Sequence, residues 1–109
     1  MDAFSRISKA YEWALESANY RGAAGYLDPS VQRPPIDFKR YANIKVADYT
    51  ITRSKASDDK RMVRQDVEIQ YFLLDRSIVR TTMDHQVWRY SETEKKWRLQ
   101  TGLPDLPQK

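Results

Sequence analysis

Between residues 2 and 18 the apolar positions Phe4, Ile7, Tyr11, Ala14, Leu15 and Ala18 recur every three or four residues, with Arg6, Lys9, Glu12 and Glu16 off that stripe. The spacing gathers one side of a helix, so residues 2 to 18 are read as amphipathic helix. Trp13 lies angularly opposite the stripe and is expected to be covered by a second helix or by the LPDLP segment folding back. Tyr20, Ala24 and Leu27 continue a helical period into a short second element, weakened by Gly22 and Gly25 and stopped at Asp28-Pro29. The stretch PSVQRPP is a connector, and Asp37 is placed to cap one turn through DFKRYA.

From Ile44 the period changes to two. IKVADYTITR reads as a strand whose apolar residues swap sides between Val46 and Tyr49, which calls for a bulge near Ala47. SKASDDK is a turn region. In MVRQDVEIQYFLL, Val63, Val67, Ile69, Tyr71 and Leu73 alternate with Arg64, Asp66, Glu68 and Gln70. A tight turn around Asp75-Arg76 leads to IVRTTMDHQVWRY, and KWRLQT closes a meander after SETEK. The segment GLPDLPQK is too proline-rich to continue a sheet.

Helices followed by antiparallel strands form an α+β pattern: a single domain over residues 1 to 109, with N-terminal helices packed on one face of a sheet of about four strands. One domain suits a chain of this length. The 40% hydrophobic content is too high for an intrinsically disordered chain. The absence of cysteine excludes a disulfide scaffold, a thiolate metal site and a cysteine nucleophile. No apolar run approaches the roughly 20 residues that span a bilayer, and the opening MDAFSRISKAYEW lacks the pattern of a signal peptide. The expected location is the cell envelope if a signal segment has been removed, and the cytoplasm otherwise.

The net charge of +4 is concentrated in residues 33 to 64, with nine basic and four acidic groups. These charges are scattered and interrupted by acids, so they are read as a solvated strand face and loop. Binding of nucleic acid or anionic lipid there is the lesser reading, with steep salt dependence as its mark.

The succession of a helix, NYRGAAGYLDP, a bulged strand, VEIQYFLLD, DHQVWRY and KWRLQTGLP resembles the nuclear transport factor 2-like (cystatin-like cone) superfamily. It is similar in particular to small bacterial members of that fold, many of them envelope-associated, and the likeness implies an envelope lipoprotein without its signal. The resemblance covers nearly the whole chain. It implies a strongly bent sheet with a helix on one face and an outer face often used for dimerisation. Family members include dehydratases, isomerases, peptide binders and noncatalytic dimers, so the fold alone selects no activity. The cavity Asp, His and Tyr complement of the enzymes is not found, nor is the Gln-x-Val-x-Gly loop of cystatin inhibitors.

Candidate chemistry centres on DHQVWRYSETEKKWRLQ, which holds the single histidine and two of three tryptophans. Asp84 and His85 are adjacent in a strand and point to opposite faces, so they make no dyad. His85 is assigned with Val79, Thr81, Met83 and Val87 to the face beneath the helix, as a core histidine or as the polar group of a cavity with Met83 and Tyr71. Trp97 is assigned to the core. Trp88 and Tyr90 take the outer face and, with Met62, Arg64 and Arg98, form the expected partner or dimer contact. No catalytic residue, metal ligand set or cofactor is assigned. The leading expectation is therefore a noncatalytic binding or accessory protein, a homodimer joined through the outer sheet face. The alternative is an isomerase- or dehydratase-type enzyme, or a small-molecule carrier, with His85 in its cavity.

Overall fold

The computed structural model describes residues 2–108. Helix α1 spans Asp2–Glu16, α2 Tyr20–Ala24 and α3 Phe38–Tyr41. Strands β1 (Ile44–Ala56), β2 (Met62–Leu73), β3 (Ile78–Ser91) and β4 (Lys96–Leu99) follow. They form one antiparallel sheet in the order β1-β2-β3-β4, so the protein is α+β with its main helix packed on an open sheet.

Helix α1 ends two residues earlier than its stripe suggests. Ala18 takes a left-handed backbone, φ 61°, and the Asn19 amide reaches back to the Ala14 carbonyl at 2.8 Å, closing the last turn. Asn19 then caps α2, its side chain accepting from the Gly22 amide at 3.0 Å. A β-carbon on residue 22 would stand 2.4 Å from that side chain, so glycine is what lets the cap form. Asp37 caps α3 by accepting from the Lys39 amide at 3.1 Å, as its position predicts.

The bulge expected near Ala47 is present as a register shift between Val46 and Asp48, and a second lies between Ile51 and Arg53. Val63, Val67, Ile69, Tyr71 and Leu73 are all buried on the helix side of β2. Beneath α1, Trp88 meets Phe4 and Tyr11 edge-on at 5.8 and 5.4 Å, and Phe4 also meets Trp97 at 5.1 Å. At the other end of this inner face the C-terminal segment folds back. Tyr41 and Tyr71 donate their hydroxyls to the carbonyls of Pro104 (3.1 Å) and Pro107 (2.7 Å), and Pro104 and Leu106 are fully buried. Two covers thus share the inner face, whereas among the described elements none packs on the outer one.

Candidate binding face of the sheet

The faces of β3 follow from its turn. Leu73 lies opposite Ile78 across the four residues 74 to 77, so paired positions are always one odd and one even: Val63 with Trp88, Gln65 with Gln86, Val67 with Asp84, Ile69 with Thr82. The inward residues of β2 are odd, hence the inward residues of β3 are even. The second four-residue turn, 92 to 95, repeats the rule and sets Leu99 against Trp88 and Trp97 against Tyr90.

This reverses the expected assignment of β3. Trp88 is fully buried, and Tyr90 is half-buried on the inner face, 5.7 Å from Trp97. Neither anchors an outer contact. Met62, Arg64 and Arg98 do belong to the outer face, opposite Arg89, Val87 and Arg89 respectively. Arg98 is engaged with Glu94 (2.9 Å) and the Gly25 carbonyl (2.8 Å), and the sheet separates it from Trp88. Trp97 is core, as expected.

The expected cavity is also corrected. The His85 side chain is 73% exposed on the outer face, and Met83 is exposed beside it. Tyr71 lies buried on the opposite side of the sheet, so the three do not line one space. Asp84 and His85 point apart, as strand geometry requires. The carboxylate that meets His85 comes instead from the neighbouring strand: Asp66 Oδ1 lies 2.7 Å from His85 Nδ1. The missing signal was turn length, since an even turn places Asp66 opposite residue 85. Such an exposed pair contributes little to stability.

The outer face that results has an apolar line of Phe72, Val79, Met83 and Val87, three of them well exposed. Around it stand Arg53 and Lys55 of β1, Arg64 of β2, Arg89 of β3 and Lys96 of β4, against the acids Asp48, Asp66 and Glu68; Arg98 is paired with Glu94, and Lys45 turns its ammonium to the Glu16 carbonyl at the end of α1, 3.1 Å away. The face is therefore amphipathic with a basic surround. Trp13 is a second uncovered apolar group, 65% exposed. The C-terminal segment expected to cover it is committed to Tyr41 and Tyr71.

The inner face holds a polar network that the sequence reading did not find. Gln86 is buried; its amide donates to the Tyr49 hydroxyl (2.8 Å) and to Asp84 (3.0 Å), and its oxygen accepts from the Trp88 indole at 2.9 Å. Burial pushes the Asp84 carboxyl above its ordinary range, partly offset by Gln86 and His85. Burial likewise pushes the Tyr49 and Tyr11 hydroxyls up, with Asp84 adding to both. The Tyr11 hydroxyl has no partner among the described residues. The network orients Trp88 and fixes the register of β3, because every satisfied bond in it depends on the even residues facing inward.

Asp84 has a thermodynamic consequence. A carboxyl whose pKa is higher folded than unfolded binds a proton more readily in the native state, so its effect favours folding most at low pH. That contribution declines as pH rises above the ordinary value of 3.8 toward the raised one. Asp84→Asn keeps an oxygen for Gln86 to donate to and removes the buried charge. Urea unfolding of the dilute chain is expected to show the variant more stable than wild type at pH 7, with the difference shrinking as pH falls to 4. A variant less stable at pH 7 would contradict this reading of Asp84.

Among the described residues no group of three or more histidine, aspartate or glutamate side chains is arranged to hold a metal ion. An open groove of about 420 Å³ lies between α2 and α3, lined by Tyr20, Arg21, Phe38, Tyr41 and Lys45 among others. Its floor is the Tyr20–Tyr41 stack at 4.8 Å. Comparison with protein-family models, curated proteins and solved structures returns no match.

Proposed function

We propose that this chain is a noncatalytic binding or accessory protein, homodimeric, whose outer sheet face receives a protein partner. The observation that carries the reading is the open face itself, a four-stranded sheet with an exposed apolar line inside a basic surround and none of the described elements laid over it. Monomeric proteins rarely leave such a face bare without using it. The apolar line supplies desolvation, and the basic surround favours a partner whose contact surface is apolar at its centre and acidic at its rim. Membership of the nuclear transport factor 2-like superfamily is part of this proposal, supported by the order of helix, bulged strand and meander.

Selection from a random peptide library with the full chain as bait tests it. The expected binders are acidic and apolar, shift the backbone resonances of Glu68, Met83 and Val87, and weaken as salt rises. Met83→Lys should weaken them by about tenfold, the loss of one central apolar contact. Binders that map instead to the groove between α2 and α3 would overturn the reading.

A further inference from the structure

The two edges of the sheet are finished differently, and the β4 edge only in part. The β1 edge carries two bulges and the cations Lys45, Arg53 and Lys55, devices that discourage strand addition. The β4 edge is closed by the segment after α2: Leu27 bridges Leu99, and the Asp28 amide donates to the Leu99 carbonyl at 2.9 Å. β4 reaches only Trp88–Ser91 of β3, however, and the last bond runs from the Gln100 amide to the Val87 carbonyl at 2.7 Å. Below it, Ile78 to Gln86 have β2 on one side and, among the described residues, no strand on the other.

Which backbone groups are free follows from that last bond. The Val87 carbonyl points toward β4, so the odd residues of β3 direct their N–H and C=O groups to that side. Val79, Thr81, Met83 and His85 therefore present a row of donors and acceptors that are unpaired among the described residues. The segment has no proline, lysine, glycine or bulge, and its threonines and Val79 favour extended backbone. Its one apparent deterrent is a pair of charges on the inner side, Arg80 and Asp84, and the Arg80 Nε is buried without a partner among the described residues.

We propose that a second copy of this chain adds to this edge, β3 antiparallel to β3 about a two-fold axis at Thr82. Antiparallel pairing with the odd residues hydrogen-bonded admits several registers. The one centred on Thr82 matches the whole free segment: Val79 opposite His85 of the second copy and Thr81 opposite Met83, with about eight backbone hydrogen bonds in all. The same register sets Arg80 opposite Asp84 of the second copy, and Asp84 opposite its Arg80, within reach across a non-hydrogen-bonded pair. Registers centred on Thr81 or Met83 match neither. The two charges thus repel foreign strands and misaligned copies while satisfying each other in one arrangement, which is how specificity is gained from repulsion as well as attraction. The product is one continuous eight-stranded sheet with its outer face doubled in width. The inference rests on the homodimeric reading above and names the surface that joins the two copies.

Sedimentation of the full chain at tens of micromolar is the test, with circular dichroism to establish folding of each variant. Wild type is expected as a dimer. Thr81→Pro removes an N–H that the single chain does not use and is tolerated at an edge; it should weaken the dimer roughly thirtyfold through two lost bonds. Arg80→Glu and Asp84→Lys should each be monomeric, and mixing these two variants should restore a one-to-one dimer, because both cross-pairs become attractive again. A monomeric wild type, a dimer undiminished by Thr81→Pro, or a mixture that fails to associate would each overturn the inference. Phe72→Lys separates it from an outer-face dimer. Loss of the dimer in that variant together with its persistence in Thr81→Pro would assign the contact to the face instead and refute the edge.

Discussion

Trp88→Ala is expected to destabilise the fold by about 3–5 kcal/mol, the range for truncating a fully buried large aromatic. The substitution empties the space between Phe4, Tyr11 and Leu99, and the partial collapse of α1 cannot refill it. It also removes the indole donor from the Gln86 oxygen, in a network that water does not readily reach. Set against the 5–15 kcal/mol typical of a domain, this leaves the variant marginal at room temperature. Urea titration followed by circular dichroism measures it. A change of less than about 0.5 kcal/mol, the usual result for a surface position, would mean that Trp88 lies on the outer face after all.

The second large effect belongs to the far end of the core. Leu106→Ala is expected to cost about 2–4 kcal/mol, although the residue lies in a proline-punctuated segment after the last strand. Leu106 is fully buried. The bonds on either side of it, from Tyr41 to Pro104 and from Tyr71 to Pro107, hold the segment down while Asp105 pairs with Arg40 at 2.8 Å. Losing the leucine frees both tyrosine hydroxyls to exchange their carbonyls for water. Thermal unfolding should show the loss, and Asp105→Ala, which removes only an exposed ion pair, should change stability by less than about 1 kcal/mol. Equal effects from the two substitutions would contradict the picture of a packed C-terminal cover.

Element order and type were legible because the local signals agree with the tertiary ones. The three-and-four stripe of α1, the Asp37 cap, the Ala47 bulge and the alternation of β2 each had one physical reading, and the structure bears each of them out. The face of β3 was misread for an equally physical reason. Its inward set of Arg80, Thr82, Asp84 and Gln86 is more polar than its outward set of Val79, Met83 and Val87, so hydrophobic alternation alone points the wrong way. Two other signals outweigh it: the even turn length, and the need of Trp88 and Tyr90 for partners on β4. A strand whose hydrophobicity contradicts its register is where a local rule is broken, and here the break exposes apolar side chains outward and leaves charges at an open edge. The bend of the C-terminal segment onto Tyr41 and Tyr71 was not legible in the same way, because proline shows where a strand stops and not where the chain goes next.

The open outer face, and with it the free edge, depends on β3 turning Trp88 toward α1 and His85 away from it. A through-space NMR spectrum of the aromatic protons reads this directly. Cross-peaks from the Trp88 indole to the Phe4 and Tyr11 rings are expected, with the His85 ring protons near the side chains of Asp66 and remote from α1. Cross-peaks between His85 and the rings of α1, with none from Trp88, would contradict it.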